Sequence, residues 1–430
     1  RPWVERVGLL RAAADRLDAR KHELGVACLI EVGKSRLEAI GEAEEAVDLI
    51  RYYCDEMERN DGFRRPMRRA FPTEATEDVL RPLGVFAVIA PFNFPLALSV
   101  NMACAALLAG NTVVYKPSPA AGLTGALLVD VLHEAGVPGG VLNLVCGGAA
   151  VGERLAGHAD VAGVAFTGSY AVGMGLYRRL AAGVYAKPLV VEMGGKNPAY
   201  VTANADLDAA AAGVMRSAFG LQGQKCSACS KVYVHEAVHG AFMERLAAAT
   251  AAVRIGDPRH RDVFLGPVID GAAHRRFGAA VAEAQAAGRV VLGGGTLDGG
   301  LFDRGHFVQP TVVAGLPADH RLNREELFLP FLSVLPFTDL DAAVADGNRV
   351  AYGLTAGVYT RDPAELEAFL DTAEAGVLYA NRPSGATTGA WPGIQTFCGW
   401  KGSGVSGKGG LGPHYLPQFL REQSRTVLEG

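Results

Sequence analysis

Three residues in this sequence have the types and settings that chemistry at a carbonyl needs. Cys226 follows Gly223-Gln224-Lys225, so a thiol comes after small, turn-forming residues and one cation. Such a position can expose a cysteine and favour its thiolate, the reactive form. Glu192 ends the apolar run Leu189–Val191 and precedes Gly194-Gly195. A carboxylate at the carboxyl end of a buried parallel strand stands where α/β proteins place their ligands. Asn93 lies between Phe92 and Phe94, flanked in turn by Pro91 and Pro95, again just past an apolar run. A rigid amide there can donate to an oxyanion. Oxidation of an aldehyde to an acid requires a thiolate that adds to the carbonyl, a hydride acceptor, and a base for the water that cleaves the thioester. Taken singly, the cysteine also reads as buried filler, the glutamate as an ion-paired surface residue and the asparagine as a turn residue.

Three other matches point elsewhere. His235-Glu236-Ala237-Val238-His239 spells the zinc-hydrolase pattern, which needs both histidines on one face of a helix and a third ligand elsewhere. Here His235 directly follows the strand-like Lys231–Val234, so two polar residues at a strand-to-helix turn are expected and no metal site. Gly402-Ser403-Gly404-Val405-Ser406-Gly407 matches a dinucleotide fingerprint and, with Lys408, nearly a phosphate loop. It lacks the preceding strand and following helix that give the fingerprint meaning, and Gly409 stands where a magnesium-binding hydroxyl belongs. Cys226-Ser227-Ala228-Cys229 has no second cysteine pair near it to complete a structural zinc site.

Elements must position these groups, and the chain has room for them. Its 430 residues are 49% hydrophobic and 20% charged, with a net charge of −4 and no basic block. That balance argues against nucleic acid or a membrane surface as a main partner. The apolar stretch Leu96–Leu108 is interrupted by Asn101 and too short to span a bilayer. Seven thinly spread cysteines read as reduced thiols in a cytoplasmic protein. Arg1-Pro2-Trp3 carries neither an initiator Met nor a signal pattern, so a preceding segment is expected.

The first 58 residues read as helices, with Val4, Val7, Leu10, Ala13 and Leu17 on one stripe. Arg64–Leu83 is basic and Pro-punctuated, like an arm or hairpin. Short apolar runs (Val85–Ala90, Thr112–Tyr115, Val141–Val145, Val164–Phe166, Leu189–Val191) then alternate with helix-length stretches, which predicts a parallel, doubly wound sheet. A second series begins with Ala199–Val201, a helix over Asp206–Ala218 and a strand at Lys231–Val234, and continues to about Leu378. Two α/β domains are expected, then a Gly-rich tail from Trp391 to Gly412 and a final strand-like segment.

Pro91–Pro95, Tyr115-Lys116-Pro117-Ser118, Phe166-Thr167-Gly168-Ser169, Glu192–Lys196 and Gly223–Cys226 occur in this order, and Glu325-Glu326-Leu327-Phe328 and Gly399–Gly404 extend the set. Together they resemble the aldehyde dehydrogenase superfamily over nearly the whole chain. The resemblance implies that fold: a doubly wound NAD(P)-binding domain from 1–63 and 84–193, an α/β catalytic domain over 194–390, and a small oligomerisation arm from 64–83 and 411–430. It implies Cys226 as nucleophile, Glu192 as base, and the Asn93 amide with the Cys226 N–H as oxyanion donors. For the cofactor it implies Lys116 at the adenosine ribose, Ser169 at the pyrophosphate, a helix N-terminus meeting it through Gly168 and Gly173, Glu326 and Phe328 at the nicotinamide, and Ser118, Phe166 and Thr167 as further cofactor-binding residues. The resemblance implies NAD as the cofactor, with NADP left open because Pro119 stands where many members carry a ribose-binding Glu.

Ser227 beside the nucleophile and Thr388-Gly389-Ala390 in the tail resemble L-glutamate γ-semialdehyde dehydrogenases. That likeness implies that Ser227, Gly389, Ala390 and Phe397 hold the substrate, with another carboxylated semialdehyde, such as succinic semialdehyde, as the alternative. Phe92, Leu329 and Thr396-Phe397-Cys398-Gly399 depart from the superfamily pattern. The arm implies a homodimer or larger homo-oligomer.

Overall fold

A computed structural model describes residues 1–383 and 391–429. The N-terminal region forms helices α1 (Trp3–Ala19), α2 (Lys21–Val32) and α3 (Arg36–Arg59). α1 buries Val7, Leu10, Ala13 and Leu17, as the stripe predicts, but Val4 at its start is 60% exposed. α2 stops at Gly33, whose φ of 75° is the left-handed conformation that ends helices. Ser35 then accepts the Glu38 N–H at 3.4 Å and starts α3.

Strands β1 (Arg64–Pro66) and β2 (Glu74–Pro82) follow, then β3 (Val85–Ile89), α4 (Ala97–Leu108), β4 (Thr112–Lys116), α5 (Gly122–Glu134), β5 (Leu142–Leu144), α6 (Ala149–Ala156), β6 (Val161–Thr167), α7 (Tyr170–Ala181) and β7 (Leu189–Glu192). Each predicted apolar run becomes one strand of a five-stranded sheet in the order β5-β4-β3-β6-β7, parallel throughout. The chain winds outward from β3 in one direction and then from β6 in the other, so a crevice opens between their carboxyl ends. α4, made mostly of small and apolar residues, is buried on nearly every side against this sheet and α3.

The second series gives β8 (Asn197–Val201), α8 (Leu207–Phe219), β9 (Cys229–His235), β10 (Arg289–Leu292), β11 (Thr311–Ala314), β12 (Phe331–Phe337), β13 (Tyr352–Gly353), β14 (Thr355–Tyr359) and β15 (Val377–Ala380). All but β13 form a seven-stranded sheet in the order β10-β11-β12-β9-β8-β14-β15, with only β10 antiparallel. β13 pairs with β16 (Trp400–Lys401) from the Gly-rich tail. β17 (Leu420–Leu428) returns to pair antiparallel with the whole of β2. Of the segment 411–430, Leu411, Tyr415, Leu416 and Phe419 are buried in the same core as α1, α3 and α4, and β17 begins at Leu420. Among the described residues no helix is long and apolar enough to cross a membrane.

Candidate active site

The turn after β3, the carboxyl end of β7, the loop before β9 and one face of α3 converge on one cavity of about 240 Å³, whose walls include Glu192, Cys226, Ser227, Phe94, Phe397 and Trp391. Asn93, in the turn between β3 and α4, is 3% exposed, and no hydrogen bond among the described residues uses its side-chain amide.

Glu192 is the last residue of β7. Its backbone is held on one side by the Gly168 N–H, which donates to its carbonyl at 3.1 Å, and next to it the Met193 N–H donates to Ser403 O at 2.9 Å. Its carboxylate accepts the Gly410 N–H at 3.2 Å. Burial pushes its pKa up to about 7, against that one opposing hydrogen bond. A carboxylate so placed exchanges a proton near neutral pH, as a general base must.

Cys226 is partly exposed in a loop reached through a left-handed stretch: Leu221, Gln222 and Gly223 have φ of 48°, 54° and 66°. Strain of this kind persists only where surroundings over-determine it. Gln222 and Gln224 are fully buried, and the Gln224 side-chain Oε1 accepts the Ile269 N–H at 2.9 Å. Asn197 at the start of β8 donates to Cys226 O at 2.7 Å and to Ala228 O at 2.9 Å, and accepts the Thr355 N–H at 3.0 Å. The expected help from Lys225 is absent. Its ammonium turns away and pairs with Glu38 at 2.8 Å. Burial pushes the Cys226 thiol well up, and Glu192 and Glu326 add to the shift, against the Ser227 and Cys226 backbone N–H groups. Sequence adjacency placed a cation beside the thiol, but neighbouring side chains leave the backbone in different directions.

Of the residues expected around a dinucleotide, several lie at the carboxyl ends of the five-stranded sheet. Lys116 ends β4 and donates to Pro117 O and Gly147 O, each at 3.0 Å, and burial lowers its pKa. Ser118 caps the short turn at Pro119–Ala121 by accepting the Ala120 N–H at 3.3 Å. Phe166 and Thr167 end β6, both buried. Gly168 leads to Ser169, the residue before α7, whose hydroxyl makes no capping bond. The first N–H groups of α7 are thus left for an anion. Gly173 sits where a Cβ would come within 2.8 Å of Met193 Cγ, so α7 lies tight against the β7 segment. Glu326 accepts the Gly195 N–H at 3.0 Å and, through burial, has a pKa of about 7, opposed by that bond and by Lys196. Phe328 has a φ of 59° and meets Phe92 edge-on at 5.8 Å. A Cβ at Gly194 would overlap the Glu326 carboxylate, so glycine here leaves that side chain its position.

Ser227 and Phe397 line the cavity as expected, whereas Gly389 and Ala390 lie outside the described residues. His235 ends β9 and accepts the Ala237 N–H through Nδ1 at 3.2 Å, while His239 begins the next helix, so the two do not share a helical face. The Gly402–Gly404 loop braces the site: Ser403 Oγ donates to Gly194 O at 2.7 Å and accepts the Gly353 N–H at 3.1 Å. Asn197, Ser403, Glu38 and Glu42 have site roles that spacing did not reveal. The one available signal was Ser35-Arg36-Leu37-Glu38, a helix-start signature beside a buried face.

The aldehyde dehydrogenase family model matches residues 1–424. The chain belongs to that family. This family member is 38% identical over 430 residues to the 1-pyrroline-5-carboxylate dehydrogenase of Bacillus cytotoxicus and 37% identical over 429 to that of Bacillus subtilis, in each case over 99% of this chain and 81% of the relative. The structure of 1-pyrroline-5-carboxylate dehydrogenase from Thermus with bound NAD superposes with a TM-score of 0.94 at 36% identity, covering 100% of this chain and 82% of that one. Proline utilization A from Bdellovibrio bacteriovorus matches with a TM-score of 0.93 at 37% identity, but this chain spans only 44% of its length.

Proposed function

We propose that this family member oxidises L-glutamate γ-semialdehyde to L-glutamate with NAD, the reaction that completes proline catabolism. The observation that carries the reading is a single cavity holding the Cys226 thiol, the Glu192 carboxylate and Ser227, with the Asn93 amide on the turn that leads into its Phe94 wall. The likeness to dehydrogenases of that name, one with NAD bound, supports the choice of substrate and cofactor.

The crevice residues fit a dinucleotide. The free N–H groups of α7 and the Ser169 hydroxyl face where a pyrophosphate would lie, Lys116 and Ser118 flank the ribose end, and Glu326 and Phe328 the nicotinamide end. When bound, the nicotinamide ring accepts the hydride that leaves the substrate carbon. Cys226 Sγ, on losing its proton, adds to the aldehyde carbon, and the new alkoxide receives hydrogen bonds from the Asn93 amide and the Cys226 N–H. Loss of hydride turns the thiohemiacetal into a thioester. Glu192 takes a proton from water, the hydroxide adds to the thioester carbon, and Cys226 leaves as thiolate. The sum is aldehyde, oxidised cofactor and water to carboxylate, reduced cofactor and protons.

The sheet β3–β7, with the N-terminal helices, serves the cofactor, and the seven-stranded sheet carries the nucleophile. The arm points to a homo-oligomer, since Met67, Phe71, Val427 and Leu428 are exposed apolar residues clustered on it. The cytoplasm suits its seven unpaired thiols. The test is kcat/KM with NAD and with NADP for glutamate semialdehyde against succinic, aliphatic and aromatic aldehydes. Preference for glutamate semialdehyde is expected; faster turnover of succinic semialdehyde would replace the substrate while leaving the chemistry.

A further inference from the structure

We propose that Glu42 and Lys34 of the N-terminal helices, seconded by Glu38 and Lys225, are positioning residues that hold the Asn93 turn in register with the Cys226 loop. The proposal rests on Asn93 as oxyanion donor. α4 begins immediately after Asn93-Phe94-Pro95, and its own cap residue, Leu96, has no side chain able to bond the first N–H groups. Glu42 of α3 does so from outside: its Oε1 accepts the Leu96 N–H at 2.8 Å and the Ala97 N–H at 3.1 Å. The turn that carries Asn93 is thereby fastened to α3 at its downstream end.

The other Glu42 oxygen lies 2.7 Å from Lys34 Nζ, and both side chains are 0% exposed. This contact lacks the alignment of a directed hydrogen bond, and the ammonium instead sits 3.6 Å from the centroid of the Phe94 ring. Phe94 is the residue after Asn93. Lys225, the residue before Cys226, places its Nζ 5.9 Å from the same centroid and is itself held by Glu38 at 2.8 Å. Glu38 is fixed in turn by the Ser35 hydroxyl, which donates to its Oε2 at 3.2 Å. Two carboxylates one helical turn apart on α3 therefore reach, through two ammonium groups and one ring, the neighbours of both the nucleophile and the oxyanion donor.

A buried ion pair is a poor source of net stability, because desolvation offsets its attraction. What it supplies is direction. Ring, cation and carboxylate have one favourable mutual arrangement, and an oxyanion donor has to stand within a few tenths of an ångström of its position.

The test is a double-mutant cycle between this relay and Asn93→Ala. Lys34→Met with Glu42→Gln removes both charges together, so that neither is left buried alone, and keeps an oxygen for the α4 N–H groups. Thermal melts and cofactor titration show whether this variant folds. Should it not fold, Glu38→Gln, on the more exposed pair, carries the same cycle. In the Asn93 protein kcat is expected to fall by about tenfold with KM nearly unchanged, the signature of an interaction lost in the transition state. In the Asn93→Ala protein the same change is expected to cost less than about twofold, because the group it positions is gone. Lys34→Arg, which keeps charge and ring contact, is expected to retain most activity. Equal fold-losses in both backgrounds, or an unchanged kcat in the Asn93 protein, would overturn the positioning role. Full activity of Asn93→Ala alone would instead refute the oxyanion donor itself, and the relay with it.

Discussion

At the scale of single residues the account turns on a carboxylate held near neutrality and a thiol held above it. With Glu192 at about 7, a base needed in its ionised form gives a kcat that rises as pH passes upward through about 7. Glu192→Gln should abolish that limb, and a wild-type profile flat from pH 5.5 to 8.5 would place the base elsewhere. The same shift has a price in stability. The unfolded carboxyl titrates near 4.5 and the folded one near 7, so between those values the folded chain binds the extra proton. Stability is therefore lost as pH rises through that window. At pH 8 Glu192→Gln should be more stable than the parent, by about 1–3 kcal/mol. Denaturant melts at pH 5 and pH 8 check this, and an equal effect at both would contradict it. Cys226 and Glu192 stood out as candidates in the sequence because the thiol follows a turn-forming Gly223-Gln224-Lys225 and the carboxylate ends an apolar run before Gly194-Gly195. The high pKa of Cys226 was not legible, since it arises first from burial in the folded chain and then from Glu192 and Glu326, 34 positions before and 100 positions after it.

At the scale of elements, the strands were legible from apolar runs bounded by turns, and the strand ends then fixed where Asn93, Lys116 and Glu192 must stand. Bracing between elements was not legible. Asn197 binds Cys226 O, Ala228 O and Thr355 N through one side chain, a role that depends on β8, β9 and β14 being neighbours. Its replacement by Ala leaves two carbonyls and one N–H unpartnered, which should cost about 2–4 kcal/mol and lower kcat more than cofactor affinity. Urea melts and stopped-flow hydride transfer measure the two effects; a variant as stable and as fast as the parent would show that the loop is held by other means. Gly194→Ala belongs at this scale also. The added Cβ displaces Glu326, so cofactor Kd should rise at least about tenfold while the fold persists. Unchanged cofactor affinity would remove Glu326 from the nicotinamide end. Gly402–Gly404 illustrates the limit of pattern: the spacing of a dinucleotide fingerprint serves here to brace the end of β7.

For the whole molecule, two largely parallel sheets meet at one cavity, and β1, β2 and β17 form a separate antiparallel arm that touches the N-terminal core through Leu80 and Leu420. The exposed Val427 and Leu428 on that arm should seal against another copy of the chain. Replacing both by Asp should yield monomers in sedimentation at micromolar concentration without unfolding the sheets. An unchanged sedimentation coefficient would mean that the arm is not the interface.

The central claim is that acyl transfer passes through Cys226 with Glu192 as the base. The most direct measurement mixes Glu192→Gln with glutamate semialdehyde and NAD, counts the NADH formed per site, and maps the modified peptide by mass spectrometry. One equivalent of NADH, followed by a stall with a γ-glutamyl group on Cys226, is the expected result. Continued turnover at the parent rate, or an acyl group on any other residue, would contradict the account.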